Sequence, residues 1–256
     1  MLLSSFQIEQ DYRAHFRCER TLKKSGVMIL SLSQSDLLDY IRAQLHHFFP
    51  DQYDFHGKDV DISFHLALER MENCIKAIAL PGYHNDAGNP FFYHLHADQY
   101  SQFIYFLGNS LWMQSQNKPL CDKLLQLNRV LFSVFISYKC LMPEHFVLGH
   151  PVGTILGNAA YHDYLVVLQG VTVNTNQDES GNPAPILGKG LYLGANSKII
   201  GNKSVGDRVS LGVGTLVYQQ DIPDDSVVTR DKSGSCTIHR RKKKYCMAQS
   251  FFNVPI

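Results

Sequence analysis

Twelve histidines and six cysteines are the side chains of this 256-residue chain best suited to acid–base or metal chemistry near neutral pH. The cysteines, at 18, 74, 121, 140, 236 and 246, include no CxxC pair of the kind that zinc and redox sites use. They read as reduced, mostly buried thiols of a cytosolic protein. Imidazole has an unperturbed pKa near neutrality, which suits a general base, yet with so many histidines any single one is structural by default. His150 differs in its setting. Gly149 and Pro151 flank it, a context for a tight, exposed turn rather than a packed strand. His145, His150 and His162 are numerous enough for a three-histidine metal centre but lack a recognisable ligand spacing, so no metal site is expected. The basic run HRRKKKY (239–245) is most simply a solvated tail, with phosphate binding the lesser alternative.

The elements that position these residues follow from a period of six. Leu187, Leu193, Ile199, Val205, Leu211 and Val217 recur at that interval, and glycine follows four of them, as Gly188, Gly194, Gly206 and Gly212. A helix repeats every ~3.6 residues and a strand every ~2, so neither alone gives this period. Three strands of about six residues, wound into a triangular coil, do give it, which is the hexapeptide repeat of a parallel β-helix. Each apolar residue points into the prism and stacks on its equivalent one coil along. The small residue after it lets the chain turn the corner, where a bulky Cβ would clash. An ordinary β-rich domain is the alternative. The stretch NTNQDESGNPAP (174–185) is too polar to stack inside and is expected as a loop thrown out of one corner.

Upstream, residues 1–140 read as mainly helical. Ser33 with Asp36 caps a helix whose face carries Leu37, Leu38, Ile41, Leu45 and Phe48. A second begins near Asp61, with Phe64, Leu68, Met71, Ile75 and Ile78 on one side; PGYHNDAGNP (81–90) is a turn-rich break. A third starts near Ala97 and a fourth follows Pro119. The stripes are core or oligomer contacts. The expected fold is α+β: a helical domain over 1–140, a parallel β-helix over 141–231, and a basic flexible tail over 232–256. Hydrophobic content of 45%, charged content of 18% and a net charge of +1 are those of a soluble globular protein, with no ground for a nucleic-acid partner. MLLSSFQIEQDYR has too short an apolar run for a signal peptide, and no stretch reaches membrane-spanning length, so a cytoplasmic location is expected.

Three segments of the prism carry a family resemblance. LGHPVGTILG (148–157), LQGVTVN (168–174) and LGKGLYLGANSKIIGN (187–202) resemble serine acetyltransferases of the left-handed hexapeptide class. DIPDDSVV (221–228) resembles the cap that closes many such helices, and LHADQ (95–99) is faintly similar to a helical segment of that family. The resemblance implies a left-handed β-helix and a trimer, or a dimer of trimers through the helical domain. It implies acetyl-CoA as co-substrate, lying in a groove between neighbouring subunits. The family's base histidine falls on His150, which would remove the proton from an acceptor hydroxyl, so that the alkoxide attacks the thioester and thiolate leaves. Such general-base help is worth about 10²–10⁴ in rate. Family positions for acetyl-CoA fall on Asn174, Thr175, Ala195 and Gly212, with Arg230 and Lys232 placed to meet the phosphates; a scaffold role for the glycines is equally open.

Several positions depart from that pattern. The aspartate that usually precedes the base is Gly149 here, and the histidine and arginine expected before PILGKG are Ala184 and Pro183. The aspartate that usually orients the base lies in an earlier coil, shortened in this chain. The nearest upstream acid, Glu144, is the candidate to orient His150, with a solvent-facing Glu144 as the alternative. An unpaired ammonium or carboxylate of free serine is costly in a site, so a sugar hydroxyl of a surface polysaccharide stands beside L-serine as acceptor. Asp86 and Asp98 are candidates to replace the lost contacts to an ammonium. The rival to an enzyme is a non-catalytic hexapeptide scaffold or regulatory protein. Finally, bacterial serine acetyltransferases commonly end in an isoleucine that inserts into O-acetylserine sulfhydrylase. Ile256 therefore makes that enzyme a candidate partner, with a chance terminal isoleucine as the alternative.

Overall fold

The structure, a computed structural model, describes residues 28–256. Cys18 and the N-terminal segment MLLSSFQIEQDYR lie outside the described residues. Helix α1 (Gln34–Phe48) starts where Ser33 accepts a hydrogen bond from the Asp36 N–H, and it buries Leu37, Ile41 and Leu45. Helix α2 (Lys58–Ala77) begins at Lys58 rather than near Asp61 and buries Phe64, Leu68, Met71 and Ile75. Helix α3 (Ala97–Ser115) is buried on every side from Asp98 to Leu111, the mark of a helix enclosed by its neighbours. Helix α4 (Lys118–Phe132) is capped by Asn117, which accepts from Leu120 N. No described helix is long and apolar enough to cross a membrane.

The remainder winds into a left-handed parallel β-helix of three faces. The first face stacks Phe146–Gly149, Leu165–Leu168, Tyr192–Leu193, Ser210–Leu211 and Ser226–Arg230. The second stacks Phe135–Ile136, Ile155–Leu156, Thr172–Val173, Lys198–Ile200 and Leu216–Tyr218. The third pairs Ala160–Tyr161 with Ile186–Leu187 and continues through bridges to Val205 and Ile222. The prism thus takes its first strand from Phe135, before residue 141. All six periodic residues point inward, none more than 3% exposed. Three of the four glycines after them, Gly188, Gly194 and Gly206, serve close approach rather than turning. A Cβ on Gly194 would lie 2.5 Å from the Leu211 carbonyl oxygen of the next coil, whereas the left-handed φ of the corners falls on residues such as Gly190, Asn196 and Gly214. The polar stretch leaves the prism as an antiparallel hairpin, Asn176–Gln177 against Pro183–Ala184.

Both prism ends are covered. At the start, α3 lies along the first coil: Gln102 donates to the Phe146 carbonyl, and the Tyr105 hydroxyl donates to Cys140 O and accepts from Met142 N. At the far end, Cys236–Arg240 pairs antiparallel with Ser226–Arg230, so the last parallel strand is not a bare edge. Residues 246–256 are packed against the protein, which corrects the expectation of a flexible tail. After the short 3-10 helix Met247–Phe251, Phe252 bridges to Ile78, meets the Tyr164 ring edge-on and is 2% exposed. Asn253 donates from its backbone to Ala77 O and from its side chain to Lys76 O. Ile256 lies over Gly190, with its N–H on Gln249 Oε1. The apolar residues Phe251, Phe252, Val254 and Ile256 provide the reason, because they fill the junction of α2 with the prism.

Candidate active site

Strand register aligns Gly149, Leu168, Gly194, Gly212 and Thr229 at one corner of the prism. From Leu168, Gly194 and Gly212 the chain reaches its left-handed corner residue in two steps, at Gly170, Asn196 and Gly214. From Gly149 it takes four, to Gly153. Hydrogen bonds from Gly170 N to Val152 O, Asn196 N to Gln169 O and Gly214 N to Ala195 O keep the corners in step. The surplus pair, His150–Pro151, must therefore bulge outward. His150 has a φ of 49° and its side chain is 87% exposed. Asn196 shares the left-handed φ, so strain alone marks no site; the protrusion of an imidazole does.

The first turn of α3 reaches this bulge. Asp98 Oδ1 accepts the His150 backbone N–H at 3.1 Å, and Asp98 Oδ2 lies 3.9 Å from His150 Nδ1. The Asp98 side chain is only 11% exposed. The acid beside His150 is thus Asp98, not Glu144. Glu144 and His150 flank opposite ends of the strand Phe146–Gly149, with five residues between them, four of which form the strand and span about 13 Å. A straight strand cannot fold that distance back. Its neighbour His145 pairs instead with Asp163, whose Oδ1 accepts His145 N at 3.1 Å and lies 3.4 Å from His145 Nδ1.

The same corner edge carries Ala195, Gly212 and Arg230 in successive coils, running about 19 Å from the first coil to the last at ~4.8 Å per coil. Lys232 is exposed in the hairpin turn beyond Arg230. Small side chains leave this backbone edge open, with positive charge at its far end. Asn174 and Thr175 sit at the next corner, where Asn174 Oδ1 accepts from Gly201 N at 2.9 Å and Thr175 Oγ1 from Asn158 N at 3.0 Å. Within one chain they do not meet His150. The face between the two corners turns exposed Ile155, Leu216 and Tyr218 outward, with exposed Val152 and Val213 at its edge. Among the described residues no group of three or more His, Cys, Asp or Glu is placed to hold a metal ion.

Asp86 is exposed in the turn around Asn85. A Cβ on Gly149 would lie 2.7 Å from Leu168 Cδ2, so a side chain there requires the end of Leu168 to shift. Pro183 and Ala184 form one arm of the hairpin, and Ala184 is 1% exposed. One residue beside the site had no signal in the sequence. Tyr83, in the 81–90 break, is 2% exposed, its ring meets His96 at 5.5 Å, and its buried hydroxyl has no hydrogen-bond partner. Burial first, and then the charge of Asp98, push the Tyr83 phenol well above its ordinary value.

No family model matches the sequence. The serine acetyltransferase of Synechococcus elongatus is 32% identical over 119 residues, 46% of this chain and 48% of that protein. The Salmonella typhimurium serine acetyltransferase is 31% identical over 116 residues, covering 45% and 42%. The chain therefore spans about half the length of the curated relatives it matches, or less. Among solved structures, Neisseria gonorrhoeae serine acetyltransferase superposes with a TM-score of 0.61 at 21% identity, over 85% of this chain and 83% of that one. The Vibrio cholerae enzyme gives 0.59 at 22%, over 75% and 73%. At such identities the superpositions establish a shared fold.

Proposed function

We propose that this chain, serine acetyltransferase-like in its sequence and in its fold, is an O-acetyltransferase that uses acetyl-CoA, with His150 as general base. One observation carries this reading: an imidazole is pushed out of a coil corner, with its backbone held by Asp98, at the head of an edge kept open by Ala195 and Gly212. The thioester supplies an acyl group already activated for transfer. His150 takes the proton of the acceptor hydroxyl as that oxygen bonds to the carbonyl carbon. It returns the proton to the sulfur as the carbon–sulfur bond breaks. Such assistance contributes about 10²–10⁴ in rate. In an assembly, the His150 edge of one copy would face the Asn174–Thr175 corner of the next. The apolar face of Ile155, Leu216 and Tyr218 would be covered between them, which favours a trimer.

L-serine is the acceptor that the relatives' names support. A neutral sugar hydroxyl is the second reading, favoured by Gly149, Pro183 and Ala184 where charged groups would hold an amino acid, and by the engagement of Asp98 with His150. The test is thiol release from acetyl-CoA, scored with serine and with a panel of sugars. Release with serine alone or with a sugar alone assigns the acceptor. No release with any acceptor overturns the enzyme and leaves a scaffold. A partnership with O-acetylserine sulfhydrylase through Ile256 would require the tail to leave Gly190 and Gln249 first.

A further inference from the structure

We infer that the helical domain completes the base: Asp98 holds His150 as the tautomer protonated at Nδ1, and the Tyr83 hydroxyl holds Asp98. This rests on the assignment of His150 as the base. Between Phe135 and Gly149 the first coil contains a single acid, Glu144, at the wrong end of its strand. Any carboxylate for His150 must therefore come from outside that coil, and α3 brings Asp98. A carboxylate only accepts hydrogen bonds. One oxygen is committed to the His150 N–H at 3.1 Å, and the other faces Nδ1 at 3.9 Å. A small rotation of the exposed imidazole closes that gap, and catalytic hydrogen bonds are often long before substrate binds. Once it closes, Nδ1 bears the proton and Nε2 presents its lone pair to the acceptor. The first turn of α3 also suits a carboxylate, because the helix N-terminus is its positive end.

Tyr83 belongs to the same unit. Gln99 donates from its side chain to Gly82 O, and the Tyr83 ring packs edge-on against His96, the residue that opens α3. The 82–83 backbone is thereby fastened to the turn that carries Asp98. A buried hydroxyl without a partner is costly. The ionisable groups that act on it are Asp98 and Cys74, with the His96 ring alongside. The Cys74 sulfur already donates to Phe146 O and accepts from Gln102, whereas Asp98 has lone pairs to spare. A phenol hydroxyl donates, so a turn of the Tyr83 hydroxyl onto Asp98 would restrain the carboxylate from swinging away from His150.

The experiment records ring ¹⁵N signals of His150 in the intact, assembled protein, identified by their loss in His150→Ala. The Nδ1–H tautomer should dominate in the wild type. Asp98→Asn keeps an oxygen for the His150 N–H, so the fold survives. It should shift the tautomer toward Nε2–H and lower kcat about 10–100-fold, with KM for acetyl-CoA nearly unchanged. Tyr83→Phe should move both in the same direction by a smaller factor, roughly 3–10 in kcat. An Asp98→Asn protein with wild-type tautomer and kcat overturns the inference. A Tyr83→Phe protein unchanged in both removes Tyr83 from it. Because the ring signals need no turnover, an Asp98-dependent tautomer in a protein inert to every acceptor would refute the acetyltransferase reading and not the positioning.

Discussion

Replacing Gly194 by alanine tests whether the repeat's glycines exist for coil-to-coil approach. The new Cβ would lie 2.5 Å from Leu211 O, 3.1 Å from Gly212 C and 3.2 Å from Val213 N. All are main-chain atoms, so no side chain can swing aside. A comfortable carbon contact is about 3.5 Å, and the coils must part locally by several tenths of an ångström. Yet Leu211 O is also the acceptor for Gly194 N at 2.9 Å, and parting of that size takes the bond out of range. The lost bond costs ~1 kcal/mol and overpacking ~1–3, against ~0.4–1 returned by a stiffer unfolded chain, for a net destabilisation of about 2 kcal/mol. Gly212 offers the contrast. Its Cβ would lie 3.1 Å from Val228 O, with the next atoms at 3.7 and 3.8 Å, so Gly212→Ala should cost under ~0.5 kcal/mol. Urea unfolding read as midpoint at unchanged slope measures both. A Gly194→Ala protein as stable as the wild type, or more stable than Gly212→Ala, would refute the reasoning.

His150→Ala should lower turnover at least about 10²-fold with little change in acetyl-CoA affinity, while Glu144→Gln leaves turnover at the wild-type level; steady-state kinetics on the assembled variants decide, and equal losses would return Glu144 to the site. Asp225 is held by Arg208 and Arg241, in that order of strength, and its carboxyl sits far below the usual 3.8. Its stabilisation is therefore complete above that unfolded value and is lost as pH falls through the depressed one, so the Tm gap to Asp225→Asn should be open at pH 7 and shrink in strong acid; a gap independent of pH removes the ion pair as its cause. Charge on the outward face, as in Leu216→Glu or Tyr218→Glu, should break a trimer into smaller species by light scattering, and an unchanged mass would place the interface elsewhere. If O-acetylserine sulfhydrylase is a partner, a peptide of residues 247–256 should bind it more tightly than the intact protein, whose Ile256 is docked over Gly190; no binding by calorimetry removes the partnership, and equal affinities would mean that docking does not compete.

Periodicity made the prism legible from residues alone, because an inward apolar position every sixth residue is a property of one coil and its neighbours. Helix α3 was legible to its first residue, since its apolar positions recur locally. His150 could be singled out from its flanking glycine and proline and from the family motif around it. What surrounds His150 could not. Asp98 lies 52 positions earlier, Tyr83 sits in a segment that reads only as a turn-rich break, and neither has a spacing that announces a partner so far along the chain. Glu144 looked closest because sequence distance was the only measure, yet an extended strand carries near neighbours far apart. The tail was misjudged for a related reason. Its lysines and arginines dominate its composition, while the groove that receives Phe252 and Ile256 exists only once α2 meets the prism. Local patterns are written in residues a few positions apart, whereas a site assembled from two domains is decided by how their surfaces meet.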